Sequence, residues 1–365
     1  MPDAGALLTL LRYGCLALGV LALAGMARRI LLWRRGRPAD VAIASGLAAL
    51  PMRYFRDVHE VVARDRLSAL MHMCAAGGFV AAGLLFVVDL MLDRPPGLRW
   101  PGLLASSAMA AGATLAVFRR VVAADHATAR RSVGEWSRFV AMIAILALGL
   151  AAWFAASRED SLATPLLLVA VAAILAGGLE IGFGMLAGGP IRHVFAGAAN
   201  LAFHPRPARF SSTKPDAALR TADLADARLG LAAAEDLGWN RVLNLDACVQ
   251  CGRCEAACPA FDAGQPLNPK ALVHDLARAS GLGAAMGAYA GSSHPGLASR
   301  EGAARAAVVP DHVAAETLWS CTTCRACVSA CPMMIEHVDF IIDLRRHEAL
   351  EKGALPGKSA TVLTH

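Results

Sequence analysis

Five long apolar segments fill the first half of the chain and limit the folds that it can adopt. They cover residues 7–27, 69–92, 101–118, 139–156 and 165–187. About 17–25 helical residues suffice to cross the hydrocarbon core of a bilayer. We therefore predict five transmembrane helices. A cleaved signal peptide is the alternative for the first segment, because Ala22, Leu23 and Ala24 resemble a cleavage site. The basic residues, however, follow this segment instead of preceding it.

Charge and composition differ between the two halves of the chain. Hydrophobic residues make up 56% of the 365 residues and charged residues 18%, with a mean hydropathy of +0.48, whereas disordered chains combine low hydrophobicity with high charge. Residues 1–204 hold 19 arginines, no lysine and 12 acidic residues, and residues 205–365 hold 16 basic and 17 acidic residues. Because the positive excess lies between apolar segments, it indicates membrane topology, and we predict no nucleic-acid partner.

The arginines also predict the orientation in the membrane. The connections after the first and third apolar segments are rich in arginine, whereas the other two connections hold only Arg94, Arg99 and Arg158. Lysine and arginine concentrate in cytoplasmic loops. We therefore expect a multi-pass protein of the inner (cytoplasmic) membrane, with its N-terminus outside and everything beyond the fifth helix in the cytoplasm.

The second half of the chain has helical patterns and almost no strand signal, so we predict an all-α protein. Gly188, Gly189 and Pro190 break the fifth helix, and a surface helix over 190–203 completes a membrane domain at 1–204. A proline-containing linker at 205–220 leads to a domain at 221–352 and a tail at 353–365. Further helices are predicted over 221–237, over 269–278 with Asn268 as N-cap, after Asp311, and over 338–351.

Eight of the ten cysteines form two motifs of identical spacing, each followed by proline. The motifs are Cys248, Cys251, Cys254 and Cys258, and Cys321, Cys324, Cys327 and Cys331. Both match the C-x2-C-x2-C-x3-C-P pattern of [4Fe-4S] proteins, in which the fourth cysteine binds the other cluster. We predict one cluster on Cys248, Cys251, Cys254 and Cys331, and a second on Cys321, Cys324, Cys327 and Cys258.

Zinc and disulfide bonds are the alternatives for these cysteines. A zinc site pairs two C-x2-C halves around one ion and does not require the third closely spaced cysteine. Disulfides are rare in the reducing cytosol. Both alternatives are therefore less suitable than two [4Fe-4S] clusters.

The cysteine motifs, with residues 265–272 and 336–346, resemble the alpha-helical ferredoxin domain of heterodisulfide-reductase-type iron-sulfur subunits. Residues 51–59, 188–195 and 203–207 resemble the nitrate-reductase-gamma-like domain of membrane iron-sulfur proteins. That group is typified by the dimethylglycine demethylation B subunit and the flavoprotein:quinone oxidoreductases. The resemblance implies a five-helix transmembrane bundle followed by a cytoplasmic ferredoxin domain with two clusters.

This resemblance also implies partners. Related proteins continue into cysteine-rich domains, but no cysteine follows Cys331, so we expect such a domain on a separate cysteine-rich subunit or not at all. The stretch from Gly281 to Gly287 lacks the spacing and the preceding strand of a nucleotide-binding fingerprint. Flavin is therefore expected from a partner subunit.

A b-type haem between paired histidines is a further implication of the resemblance. His72 at the start of the second helix and His193 after the fifth are the predicted pair. His204 and His59 are rival ligands, and a plain interfacial contact of these histidines is the alternative.

Glu180 lies within the fifth apolar segment. Ionisable groups inside membrane helices are costly and often lie on proton or substrate paths. We predict that Glu180 takes up or releases quinone protons; the alternative is a packing hydrogen bond to a residue such as Thr114.

Taken together, these patterns predict a membrane-bound subunit of a quinone-linked oxidoreductase rather than a complete enzyme. It would pass electrons from a cytoplasmic flavoprotein or dehydrogenase to quinone. The alternatives are electron flow from quinol to a heterodisulfide-type reductase, and a membrane anchor without a catalytic role. A transporter fits poorly, because the five helices show no internal duplication.

Overall fold

The fold is helical throughout the part of the chain that the structure describes. This computed structural model describes residues 3–92, 97–122, 133–156, 163–203, 228–283, 286, 289, 291, 293–295 and 307–356. In these ranges no strand occurs, and the β contacts are two isolated bridges, Arg37 with Gly238 and Ala233 with Ala307. The all-α prediction is confirmed for these residues.

Five segments of the described chain are long and apolar enough to cross a membrane: Ala4–Trp33, Arg66–Met91, Arg99–Arg119, Trp136–Ala155 and Ala163–Ala187. They correspond to the five predicted segments. The helices are α1 (Ala4–Trp33), α4 (Arg66–His72), α5 (Gly78–Met91), α6 (Arg99–Val122), α7 (Val133–Ala155) and α8 (Ala163–Ala187). A π-helical turn at Met73–Gly77 joins α4 to α5.

The first of two compact units comprises Met1–Arg28, Val62–Asp125 and Val133–Ile191. Small residues let its helices approach closely: a Cβ added at Gly78 would lie 2.5 Å from the backbone nitrogen of Met109 on α6. Close approach at small residues is a common basis of helix packing in membranes. The buried Asp89 carboxylate accepts a hydrogen bond of 2.7 Å from Nε1 of Trp153 on α7, so this polar group of α5 has a partner.

The second unit comprises Arg29–Val61, His126–Ser132 and Arg192–His365. It holds helices from both halves of the chain. They are α2 (Ile43–Met52), α3 (His59–Val62, whose last residue belongs to the first unit), α9 (Arg192–Phe203), α10 (Trp239–Asp246), α11 (Arg253–Ala256), α12 (Pro259–Asp262), α13 (Pro269–Ala279), α14 (Ala315–Trp319), α15 (Ala326–Ala330) and α16 (His337–Arg346). The last turn of α1 and the whole of α9 thus pack with the cysteine-bearing segment.

Several predicted helix boundaries are confirmed in this unit. The Asn268 side chain accepts hydrogen bonds from the backbone of Lys270 and Ala271 at the start of α13, as an N-cap residue does. The helix predicted over 338–351 is α16 with a π-helical continuation at His347–Glu351. After α8 ends, Gly188 has a φ of +92°, which favours glycine.

The helix predicted over 221–237 is wrong where it can be compared. Residues 228–233 are not helical, and only Ala234–Asp236 form a 3-10 turn. The backbone N–H groups of Leu229 and Gly230 donate to the Glu351 carboxylate at 2.8 Å. A side chain distant in sequence therefore accepts the bonds that a helix would make within its own backbone. Residues 204–227 lie outside the described ranges, and with them His204 and the predicted linker.

The predicted cap at Asp311 is also wrong. Asp311 lies in a π-helical turn at Val308–His312, and α14 begins after Ala314 without a side-chain cap. Short polar residues near a helix start are a weak signal, because turns use them equally well.

Candidate metal centre

The two cysteine motifs share one backbone path. Gln250 and Gly252 in the first motif have φ of 52° and 78°, and Thr323 and Arg325, at the same two positions of the second, have φ of 56° and 62°. A left-handed conformation at non-glycine residues is uncommon. The repetition shows that both motifs turn in the same way at these two positions.

Backbone N–H groups in these loops point at the thiols. The N–H of Thr323 donates to Sγ of Cys321 at 3.3 Å. Burial raises the pKa of the Cys248 thiol, and a backbone bond from Gln250 to this thiol offsets part of the rise. The N–H of Ile335 donates to Sγ of Cys331 at 3.4 Å. Such bonds favour the charged thiolate.

The fourth cysteine of the first motif lies with the second motif. One surface cavity is lined by Cys258 together with Cys321, Cys324 and Cys327, and by Pro259, Ala260, Leu267, Pro269, Thr322, Arg325, Val338 and Ile341. Burial raises the pKa of the Cys327 thiol, and negative charge on Cys321, Cys258 and Cys324 raises it further. These four thiols therefore share one site.

The fourth cysteine of the second motif lies with the first. Burial raises the pKa of the Cys254 thiol well above its usual range, and charge on Cys251, Cys331 and Cys248 adds to the effect. Cys327 adds a smaller contribution. Cys254 therefore lies near Cys331 of the second motif as well as near Cys248 and Cys251 of its own. The ligation of each cluster by one crossed set of four cysteines stays a prediction.

The two sets are neighbours. Cys254 and Cys327 pack with Val338 in one small buried cluster, against which Val328 and Ile342 also lie. The α11 helix, which holds Cys254, packs on the α15 helix, which holds Cys327.

Burial disfavours free thiolates at these cysteines. Burial raises the pKa of Cys248 to about 11 and raises that of Cys321 above its ordinary value. Metal ligation requires thiolates and therefore releases protons. Among the described residues, no three His, Cys, Asp or Glu side chains converge as in a site for a single metal ion.

A buried ion network borders the first motif. The Asp246 carboxylate, two residues before Cys248, accepts bonds of 2.8 and 2.9 Å from Nη1 of Arg29 and of 2.8 Å from Nε1 of Trp33. Nε of Arg192 lies 3.5 Å from the same carboxylate, and its Nη2 donates to the carbonyl of Cys248 at 3.1 Å. Both Arg29 and Asp246 have fully buried side chains.

This network was not predicted from the sequence. Arg29 belongs to the arginine-rich connection that was interpreted as a topology signal, and no role was predicted for Arg192 or Asp246. One indication of it lies in the sequence: the acidic residue Asp246 stands two residues before Cys248, the first cysteine of the motif.

A second buried ion pair lies on the other side of the first motif. Nζ of Lys270 is 3.1 Å from the carboxylate of Glu255, and their side chains are 1% and 4% exposed. Lys270 also lies over the Tyr289 ring, with 5.4 Å from Nζ to the ring centroid. Burial lowers the pKa of the adjacent His274 to about 3, so this imidazole is neutral at physiological pH.

The ion pair beside the second motif is less buried than the pairs beside the first. Arg325, directly after Cys324, pairs with Glu336 at 3.0 Å and lies 3.5 Å from Asp339. Burial and the neighbouring Glu336 raise the pKa of Asp339 to about 6. The Arg345 guanidinium donates to the carbonyl of Cys321 at 2.6 Å and covers the Trp319 ring.

The predicted haem ligands lie in different units. His72 ends α4 in the first unit, and His193 lies in α9 of the second; both are half-buried. Nδ1 of the rival His59 donates to the carbonyl of Tyr54 at 2.9 Å.

Glu180 pairs with a charged side chain and not with a hydroxyl group such as that of Thr114, which was the alternative prediction. Its Oε1 is 3.0 Å from Nη2 of Arg138 at the start of α7, while the Thr114 hydroxyl donates to the carbonyl of Ala110. The alternative of a Thr114 bond is therefore wrong, and the intramembrane carboxylate belongs to an ion pair.

Five membrane-length helices and two cysteine motifs of the same spacing and backbone path are typical of a membrane protein with a ferredoxin-type iron-sulfur domain. Comparison with known families agrees: a "4Fe-4S dicluster domain" matches residues 240–332. The family described as "Domain of unknown function (DUF3483)" matches residues 6–227. The chain belongs to this family.

Curated relatives have related descriptions. A "Probable membrane-anchored ferredoxin" of Chromohalobacter salexigens is 47% identical over 383 residues, which cover 98% of this chain and 55% of the relative. An "EtfAB:quinone oxidoreductase" of Syntrophomonas wolfei is 35% identical and covers 47% of this chain and 25% of its own length. The "Probable iron-sulfur-binding oxidoreductase FadF" of Bacillus subtilis is 33% identical and covers 47% and 27%.

The chain spans about half the length of the first of these relatives and about a quarter of the other two. No solved structure matches it.

Proposed function

We propose that the protein is a membrane-bound electron-transfer subunit that holds two [4Fe-4S] clusters and passes electrons from a soluble flavoprotein or dehydrogenase to quinone. The observation that carries this proposal is the cavity that Cys258 of the first motif lines together with Cys321, Cys324 and Cys327 of the second. In bacterial two-cluster ferredoxins the fourth cysteine likewise ligates the other cluster.

When bound, each cluster supplies a one-electron carrier. The residues of this chain hold it, exclude water and adjust its potential through N–H bonds to sulfur and through burial. The shared packing of Cys254 and Cys327 supports transfer between the two sites.

Two relatives support the quinone and oxidoreductase parts of the proposal. One is named as an EtfAB:quinone oxidoreductase and one as an iron-sulfur-binding oxidoreductase. The finer assignment to the dimethylglycine demethylation B subunit and flavoprotein:quinone oxidoreductases belongs to this proposal. So do the inner-membrane location, the outside N-terminus and a separate cysteine-rich subunit.

The proposal is tested on full-length protein purified anaerobically in detergent. We expect about eight iron atoms per chain and two EPR signals after reduction, because each cubane holds four irons. The reduced protein should then reduce a soluble short-chain quinone. Retention of quinone reduction by Cys324→Ala would instead favour a membrane anchor without an electron-transfer role. Cluster potentials above that of the quinone would favour the reverse flow from quinol.

The haem at His72 and His193 remains part of the proposal, and the same preparation tests it. A reduced-minus-oxidised spectrum should show a b-type alpha band that His72→Ala and His193→Ala both remove. A spectrum without this band removes the haem from the proposal while leaving the clusters in place.

We expect Glu180→Gln to slow quinone turnover at least about tenfold and to change its pH profile, because the amide cannot carry a proton. Quinone reduction is measured between pH 5.5 and 8.5. Arg138→Gln is the matched control, since it removes the other partner of the 3.0 Å pair and leaves the carboxylate. Equal losses and unchanged pH profiles in both variants would show that the pair only holds α7 and α8 together.

A further inference from the structure

The two crossed cysteine sites differ in exposure, although their motifs are identical in spacing and backbone path. The four cysteines of the first site, Cys248, Cys251, Cys254 and Cys331, are all buried. In the second site Cys324 is exposed and Cys321 is half-buried. This asymmetry therefore comes from what covers each loop.

The first loop is covered by segments that continue in sequence into apolar helices. Arg253 donates from Nη1 to the carbonyl of Val61 at 2.7 Å, shortly before the apolar segment Arg66–Met91. Arg192, which bonds the Cys248 carbonyl, follows α8, and Arg29 and Trp33 belong to the last turns of α1. Each of these contacts lies within the second unit.

The second loop has no comparable cover among the described residues. Thr322, Thr323 and Cys324 form an exposed run, and the exposed Pro259 lies at the same cavity. Of the residues lining this cavity, Arg325 is the charged one, and Glu336 and Asp339 balance it. We call the face formed by Pro259 and Thr322–Cys324 the exchange face.

We propose that the site of Cys321, Cys324, Cys327 and Cys258 exchanges electrons with a soluble redox protein that docks on the exchange face, while the site of the first motif does not meet this partner. The inference rests on the proposed function. One electron leaves the reduced iron-sulfur group of the partner and enters the bound cluster, so the partner's group is oxidised by one electron, the cluster is reduced by one, and no bond forms or breaks. Small uncharged side chains let the partner approach closely, and their lack of net charge favours a partner surface without strong charge.

The first test uses the detergent-solubilised full chain, reduced anaerobically, with an aqueous dysprosium-EDTA chelate as relaxation probe. We expect the chelate to speed the electron-spin relaxation of one cluster signal only. Cys324→Ser and Cys251→Ser, which each replace one thiolate, identify the two signals. The affected signal should be the one that Cys324→Ser alters.

The second test measures docking. Thr322→Arg places a long charged side chain on the exchange face, and Leu350→Arg is the control at a residue 54% exposed in the same unit. We expect Thr322→Arg to slow reduction by a reduced soluble [2Fe-2S] ferredoxin at least tenfold. Reduction by methyl viologen, the EPR spectrum and the Leu350→Arg variant should stay within twofold of the unaltered protein.

The inference would be overturned if the chelate speeds the spin relaxation of the signal that Cys251→Ser alters, or speeds that of both signals equally. Equal ferredoxin rates in Thr322→Arg and Leu350→Arg would also overturn it. In each of these outcomes two iron-sulfur signals are present, so the proposed function stands. Absence of both signals contradicts the proposed function itself.

Discussion

Alanine at Cys258 is expected to remove the cluster of the second motif and to spare the cluster of its own motif. Cys258 lines the cavity of Cys321, Cys324 and Cys327, 63 residues before the nearest of them in sequence. A [4Fe-4S] cluster depends on four thiolates, so iron content should fall from about eight to about four atoms per chain. EPR should retain the signal that Cys251→Ser alters and lose the signal that Cys324→Ser alters.

Matched variants make this prediction specific. Cys331→Ala should have the opposite effect, because Cys331 is the predicted fourth ligand of the cluster on Cys248, Cys251 and Cys254 and lies near Cys254. Cys74→Ala, at a half-buried cysteine of the first unit, should leave iron and both signals unchanged. Loss of the first-motif signal in Cys258→Ala would show that each motif keeps its own fourth ligand.

Alanine at Asp246 is expected to destabilise the second unit by about 3–5 kcal/mol, because it leaves buried guanidinium groups without their carboxylate. Arg29 and Asp246 are both fully buried, and Arg192 is 4% exposed. Amide hydrogen exchange of the full-length protein in detergent measures the effect. The protection of the α10 and Cys248-loop amides against exchange should fall by the factor that this loss of free energy implies. Exchange from buried helices reports the free energy of their opening.

Two further variants separate charge from shape. Asp246→Asn keeps the volume and one hydrogen-bond acceptor but removes the charge, so it should lose nearly as much stability. Lys352→Met breaks a pair whose lysine is 41% exposed and should cost about 1 kcal/mol or less. Losses of similar size in Lys352→Met and Asp246→Ala would contradict the assigned role of the network.

Local sequence patterns predicted the five long apolar helices well. Apolar segments of helical length define their own elements, and the Asn268 cap uses bonds within three residues. The identical spacing of the two motifs also predicts that their backbones turn alike, and both loops do have left-handed residues at the same two positions.

Contacts between distant residues could not be predicted in this way. The bond between Arg29 and Asp246 joins residues 217 apart, and the two have no common pattern in the sequence. The partner of Glu180 was missed for the same reason, since Arg138 lies 42 residues away on another helix. At residues 228–233, backbone N–H groups donate to the distant Glu351 carboxylate instead of to helical carbonyls. Local sequence patterns do not predict such a distant bond.

The position of Arg29 and Trp33 also constrains the order of biogenesis. These residues complete the α1 helix, yet they supply the polar partners of Asp246. During synthesis they emerge more than two hundred residues before that carboxylate, so their burial must wait for the later segment. We therefore expect the cysteine-bearing unit to mature only on a chain whose first apolar helix is already present, because a fragment beginning at residue 205 would lack Arg29, Trp33 and Arg192.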